Sequence, residues 1–301
     1  MKENFPKVAI GIMARNHEDF IRAQTYPNID VFVADDASTD RTFDVISAYN
    51  DNYPGFITEY YRHNQNVGIS KNCNSLLDRM DGTYVKVFGG DDIMMSRKIE
   101  RQVIAMEENP DAVICFTNTE WFWSESGKKI CNHFGFLQKP STDIKDVLAE
   151  FTIPTPSILV RQSAHRTVRY REDLKYVNDY YATIELMQQG PAVYIPEVLV
   201  RYRKHKASVT SQNYFYKDRL RLIKILKDNL PAEYYPYIDK YAYTSNYAQI
   251  MQMISEGKKS EAFKKMPQII RISFTSRKWF VRLLALLYKF IFFKTKKTND
   301  D

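Results

Sequence analysis

Short apolar runs alternate with stretches patterned at helical spacing through the first two thirds of the chain. Val8 to Ala14 reads as a first strand. Ile29 to Ala34 reads as a second, closed by the turn-forming run Asp35-Asp36-Ala37-Ser38-Thr39-Asp40. Arg41 to Asn50 predicts a short helix with Thr42, Val45 and Ile46 near one face, and Phe56 to Arg62 a third strand. Ser70 is expected to cap a helix reaching Met80, whose apolar side is Leu76, Leu77 and Met80. Tyr84 to Phe88 is the next strand and runs straight into Gly89-Gly90-Asp91-Asp92. Ser96 is expected to cap a helix through Glu108, with Ile99, Val103 and Met106 three and four residues apart. Ala112 to Thr117 then returns to strand. This order predicts an α/β fold, a mostly parallel sheet covered by helices. Ligands of such sheets bind at the carboxyl ends of strands. Both acidic pairs, Asp35-Asp36 and Asp91-Asp92, fall there.

Farther along, Asp143 to Phe151 predicts a short helix, and Pro154-Thr155-Pro156-Ser157 a stiff extended lead into Ile158 to Arg161. Asn178 to Gln189 predicts a helix stopped by Gly190-Pro191, and Val193 to Tyr202 a strand. From Tyr214 the pattern is helical: Tyr214 to Asn229, Tyr241 to Ser255, Lys259 to Arg271, and a last helix from Arg277. No internal repeat is visible. The expected organisation is a domain over 1–212 and a helical region over 213–301.

At 301 residues, 44% hydrophobic and 26% charged, the composition is that of a folded globular chain. No secretory h-region opens it, and no apolar stretch reaches the length of a spanning helix. Cys73, Cys115 and Cys131 lack metal-like spacing and fit reduced thiols of a cytoplasmic protein. The net charge of +7 admits nucleic acid, an anionic membrane or an anionic substrate as partner. No recognition-helix pattern and no basic groove with interleaved aromatics supports nucleic acid.

Each acidic cluster has a plain reading and a chemical one. Asp35, Asp36 and Asp40 are ordinary turn and cap residues, and a carboxylate after a strand can also accept bonds from a base or ribose. Asp91 and Asp92 can cap a helix, or hold Mg²⁺ or Mn²⁺ together with substrate phosphates. Asp179, near a predicted helix start, is an N-cap or a general base. Arg201-Tyr202-Arg203-Lys204-His205-Lys206 is a solvated basic edge or a diphosphate neutraliser, with His205 able to ligate a metal. The P-loop and the dinucleotide Gly-x-Gly-x-x-Gly fingerprints are absent. Trp121, Trp123 and Tyr176 are candidates for stacking on a sugar or for plain packing.

These elements, in this order, resemble the family 2 inverting nucleotide-sugar glycosyltransferases of the GT-A fold. The matching features are the first strand ending near Asn16, the run from Asp35 to Thr42, and Asn66-Val67-Gly68-Ile69-Ser70 with Asn74. After these come Gly90-Asp91-Asp92, Asn178-Asp179, and Tyr202-Arg203 with His205 and Ser208. The likeness spans roughly residues 6 to 210. It implies a Rossmann-like catalytic domain over 1–212, with a nucleotide-sugar half (1–118) and an acceptor half (119–212). It implies that Asp36, beside Asp35, contacts a uracil-type base, and that Met13 and Arg15 line the nucleotide pocket. Asp91, with Asp92 and His205, would hold Mg²⁺ or Mn²⁺ on the donor diphosphate. Arg203 and His205 would lie on a loop near that diphosphate, and Asp179 would be the catalytic base. The partners implied are a nucleotide-sugar, most readily UDP-linked, and a saccharide or lipid-linked acceptor in bacterial surface-polysaccharide synthesis. Three departures stand out. Gly89 replaces the first Asp of the usual Asp-x-Asp, Asn178 replaces a Glu, and the first helix is cut to His17 to Ala23. A non-catalytic nucleotide- or carbohydrate-binding protein and a metal-dependent nucleotidyltransferase remain alternatives.

In the last predicted helix, Lys278, Arg282 and Lys289 share a face. Trp279, Leu283, Leu286, Leu287, Phe290 and Phe293 make a wide apolar remainder, and Lys294, Lys296 and Lys297 follow. Such a helix can lie in the interface of a membrane's inner face, dock on its own domain, or join two copies in a homodimer.

Overall fold

The computed structural model describes residues 5–14, 24–135, 138–204, 215–267, 269–270 and 277–292. The truncated first helix expected over His17 to Ala23 lies outside the described residues, as do Arg15, His205 and Ser208.

The chain divides into two compact units, residues 1–147 with 152–212, and residues 148–151 with 213–301. The first is built on a nine-stranded sheet. Its strands are β1 (Val8–Met13), β2 (Ile29–Asp35), β3 (Glu59–Arg62), β4 (Tyr84–Gly89), β5 (Ile93–Met94), β6 (Ile114–Trp123), β7 (Lys129–Asn132), β8 (Leu159–Arg161) and β9 (Ala192–Lys204). Their spatial order is β3-β2-β1-β4-β8-β6-β9-β5, with β7 paired to β6. The run β3-β2-β1-β4 is parallel, as is β6 beside β9; β8 joins the two groups antiparallel to both β4 and β6. The sheet is therefore mixed, mostly parallel and covered by helices, as the alternation of patterns implied.

β1 reads as continuous apolar sequence because both its faces are covered: Val8, Ala9 and Ile10 expose nothing. Its neighbours β2 and β4 lie on opposite sides, so the connections diverge at β1 and open a crevice at its carboxyl end. Register brings Met13 level with Ala34 on one side and Gly89 on the other.

The covering helices are α1 (Thr42–Asn52), α2 (Ile69–Leu77), α3 (Lys98–Glu107), α4 (Ile144–Ala149), α5 (Gln162–His165) and α6 (Asn178–Met187). Two cap expectations are corrected. Gly68, at φ 86°, precedes α2, and Ser70 lies inside the helix. Arg97, not Ser96, precedes α3. In the first case the turn that enters the helix is held by another segment: the Asp36 carboxylate accepts from the amides of Val67 and Gly68 at 2.6 and 2.9 Å. Gly82, just before β4, is fixed by crowding, since a Cβ there would sit 2.9 Å from the Lys7 carbonyl oxygen and 3.1 Å from Ala9 N. All its neighbours are backbone and cannot swing aside. Gly82→Ala is therefore expected to lower unfolding stability by about 1–3 kcal/mol, read as a shift of the denaturant midpoint. An unchanged midpoint would refute the crowding argument.

The second unit holds α7 (Phe215–Asn229), α8 (Tyr235–Ser255), α9 (Lys259–Lys265) and α10 (Arg277–Phe292). α8 starts six residues before the predicted Tyr241 because Pro236 sits in its first turn, where a missing N–H costs nothing. α9 stops short of the predicted Arg271, just before Pro267. Tyr243, Ile250, Ile254, Ala262, Met266, Ile269 and Leu286 form its core. Of the apolar face expected on the last helix, Leu283 and Leu286 are buried and Leu287 is exposed.

Candidate functional site

The carboxyl ends of β1, β2 and β4 gather most of the residues singled out in the sequence. Met13 closes β1, and the Cys73 thiol of α2 contacts its sulfur at 3.2 Å. Asp35, fully buried at the end of β2, accepts from Ser38 N at 3.1 Å and from the Ser38 hydroxyl, and pairs with Arg62 at 3.1 Å. Asp36, half-buried, holds the start of α2 as described. Between them and Ser38, Ala37 adopts φ 53°, a left-handed conformation that disfavours any side chain. This turn is strained and pinned from both sides. Asp40 takes the cap role, accepting from Thr42 N at 3.0 Å.

β4 delivers the second acidic pair. Asp91 is exposed and Asp92 buried. Gly89 leaves the room, because a Cβ at that position would stand 3.2 Å from Asp91 Oδ1. Arg203 clamps the pair: its amide donates to Asp92 Oδ1 at 3.0 Å and its Nε to the Asp91 carbonyl at 2.9 Å. Arg203 belongs to β9, not to a loop, because that strand runs on beside β6 two residues past the predicted Tyr202. Burial and then the neighbouring Asp91 carboxylate push the Asp92 pKa well above the carboxylate range. The Arg203 amide, Lys86 and the Arg203 guanidinium oppose them. A cation at the pair would relieve this directly. Arg201 has other work, pairing with Glu120 at 2.8 Å.

Asp179 lies in the first turn of α6. Its Oδ1 accepts from Tyr180 N at 2.8 Å, and its Oδ2 from the Thr155 hydroxyl at 3.1 Å. Burial raises its pKa, with the Tyr180 amide and Thr155 hydroxyl opposing. The segment leading to it is held by α2. Asn74 exchanges two bonds with the backbone of Tyr170, at 2.8 and 2.9 Å. Ser70 donates to the Leu174 carbonyl at 3.3 Å and accepts from the Asn178 amide. Asn178, where a Glu was the expected neighbour, therefore ties α6 to α2.

Lys86 and Thr155 were not singled out in the sequence, yet they connect the two halves of this arrangement. Lys86 is buried in β4 and donates from Nζ to the Thr155 carbonyl at 3.0 Å; the hydroxyl of the same threonine reaches Asp179. Burial draws the Lys86 pKa well below the lysine range, and Asp92 holds it up. Hydrogen bonds thus link Lys86 through Thr155 to Asp179, and Asp92 acts on Lys86 by charge. The signal for this was a lone charge inside the apolar strand from Tyr84 to Phe88.

Trp121 packs against His133 and Tyr202, with Lys204 Nζ 4.4 Å from its ring centre. Lys175 Nζ lies 5.3 Å from the Tyr176 ring, and Trp123 is 48% exposed. Among the described residues no group of three or more His, Cys, Asp and Glu is placed to hold a metal. An Mg²⁺ or Mn²⁺ site on one or two carboxylates plus a donor's phosphates needs no such cluster, and the Asp91–Asp92 pair offers the hard oxygens it requires.

The pattern of the family described as Glycosyl transferase family 2 matches residues 18–168. An uncharacterised glycosyltransferase of Rickettsia prowazekii is 28% identical over 229 residues, 70% of this chain and 69% of its own. The UDP-Glc:α-D-GlcNAc-diphosphoundecaprenol β-1,3-glucosyltransferase WfaP of Escherichia coli is 25% identical over 234 residues, 73% of this chain and 85% of its own. Of the mycobacterial relatives, at 26% identity, the chain spans 61% of the length, less than two thirds. A solved mannosyltransferase of Pyrobaculum calidifontis, in complex with GDP-Man and Mn²⁺, matches with a TM-score of 0.61 and 15% identity. The match covers 95% of this chain and 81% of that one; at that identity the likeness is one of fold.

Proposed function

The chain belongs to glycosyl transferase family 2 and has the GT-A fold, and we propose that it is a metal-dependent inverting transferase. In this reading it moves a sugar from a UDP-linked donor to a hydroxyl of a saccharide or lipid-linked acceptor, in bacterial surface-polysaccharide synthesis on the cytoplasmic side. The observation that carries the reading is the pair of hydrogen bonds running from Lys86 through Thr155 to Asp179, with Asp92 acting on Lys86 by charge. It puts a diphosphate-side carboxylate pair and a candidate base into one arrangement. The WfaP name, with its UDP-glucose and diphosphoundecaprenol, favours the donor and acceptor classes.

The donor's base would rest against the Asp35–Asp36 turn beside Met13, with Arg15 completing that pocket. Mg²⁺ or Mn²⁺, held by Asp91 and Asp92 with His205 as a third ligand, supplies positive charge to the diphosphate when bound. Asp179 takes the proton from the acceptor hydroxyl. The freed oxygen forms a bond to the anomeric carbon as the bond from that carbon to the diphosphate breaks, inverting the configuration. Arg203, already fixed on the acidic pair, balances charge gathering on the leaving nucleoside diphosphate. Residues 1–118 would then serve the donor and 119–212 the acceptor.

The test is incubation with UDP- and GDP-sugars, Mn²⁺ and polyprenyl-diphosphate saccharides, following nucleotide release and the anomeric configuration of the product. Nucleoside diphosphate and an inverted linkage are expected. Pyrophosphate would point to nucleotidyl transfer, and tight nucleotide binding without turnover to a non-catalytic binding protein.

A further inference from the structure

α10 is apolar on two faces, and only one of them is covered. Leu286, with Phe290 beside it, packs into the core of the second unit, and Leu283 is buried. On the other side, Val281, Leu284, Tyr288 and Ile291 are exposed by 55, 49, 66 and 64%, and Leu287 by 37%. Spacings of three, four and three residues put the first four on one stripe. Phe263 of α9, 64% exposed, is in ring contact with Phe290 at 6.1 Å, on the covered side. Arg282 and Lys289 are set between the two faces. They are engaged within the unit, Arg282 with Glu150 and Lys289 with Ser255.

The charge of the chain is gathered in the same region. Residues 262–299 contain 10 Lys and Arg and no Asp or Glu. Once the final 40 residues are set aside, 33 of the 43 cations and 34 of the 36 anions remain, so the net +7 arises entirely in the C-terminal segment. No helix among the described residues is long and apolar enough to cross a membrane. α10 has 16 residues, whereas a span needs about 20. An exposed apolar stripe on a short helix in a purely cationic segment matches a helix lying in the plane of a bilayer interface. A second copy would set like charges against each other, which disfavours it as the occupant.

We propose that the outer stripe of α10 docks this protein on an anionic lipid bilayer, with Val281, Leu284, Tyr288 and Ile291 entering the acyl boundary and the surrounding lysines and arginines facing lipid phosphates. This deepens the lipid-linked acceptor of the proposed function and rests on it only for purpose. The surface itself is argued from exposure and charge.

The experiment is flotation of the full chain, without donor or acceptor, on vesicles of phosphatidylcholine alone or with about one third phosphatidylglycerol. A failure here leaves the transfer reading intact, and a failure of transfer leaves this one intact. Binding is expected on the anionic vesicles only, weakened at high salt. Lys294→Gln, Lys296→Gln and Lys297→Gln together should weaken it on the order of 100-fold, at about fivefold per lysine. Leu284→Gln with Ile291→Gln should abolish it with the melting temperature unchanged. Equal binding to both vesicle types, or full binding by the stripe variant, would overturn the proposal. So would a dimer in solution that the stripe variant dissociates.

Discussion

Asp179→Asn is expected to lower kcat by about 10²–10⁴-fold while donor affinity stays at the wild-type value. The substitution keeps the shape of the side chain and an oxygen for the Tyr180 amide; what it removes is the ability to accept a proton. Thr155 can turn its hydroxyl to accept from the new amide, so the fold has no reason to fail. The pH profile gives an independent reading. A base works only when ionised, and burial raises the pKa of Asp179 above its ordinary 3.8. The wild-type kcat should therefore fall on the acid side with a midpoint above that value, and the Asn variant should lack this limb. For stability the sign is reversed. A raised folded pKa means that the native state holds the proton more tightly, so this group's contribution is present at low pH and is lost as pH rises through the folded value. An Asn variant with undiminished kcat, or with the acid limb intact, removes Asp179 from the role of base.

Asp91→Ala is expected to abolish the metal dependence of nucleotide binding and to lower turnover on the order of 10²–10³-fold, the scale of several kcal/mol of charge stabilisation. Asp91 suits this test better than its neighbour. It is exposed, and its contact with the Arg203 side chain runs through its own carbonyl, which the substitution leaves in place. Asp92 is buried on the Arg203 amide and close to Lys86; removing it would strand a buried donor and a buried ammonium. A loss of activity at position 92 would then mix chemistry with unfolding. Calorimetric titration of UDP with and without Mn²⁺ separates the two outcomes. If Mn²⁺ still tightens UDP binding to the Ala variant, the cation is not held by Asp91.

The sheet was legible because period and burial agree. The apolar runs of β1, β2 and β4 need cover on both faces, and β2 and β4 each stop at a turn-forming acidic cluster. That alone placed two carboxylate pairs at one edge. Local cap rules were less informative. Ser70 looked like the start of α2, but Asp36, more than thirty residues away, holds the turn that enters it, and the serine is turned to Leu174 and Asn178 instead. A turn held by a distant segment leaves no local signature. Thr155 escaped notice for the same reason, and Lys86, though a lone charge in an apolar strand, shows its partner only once folding sets the two together. The terminal helix shows the limit of periodicity. It identified an apolar face but could not say that a second one would be left outside once Leu283 and Leu286 had packed.

The two ends of the sheet bear on how this protein survives at high concentration. A sheet of this size could offer two long open ladders of N–H and C=O groups to any passing extended chain. One end is β3, four residues long, opening and closing on the exposed charges Glu59 and Arg62. The other is β5, only two residues long. β7, on the side branch, exposes all four of its residues and begins with a lysine. Among the described residues, neither terminal strand is at once long and apolar, so strand addition at β3 or β5 finds little to extend.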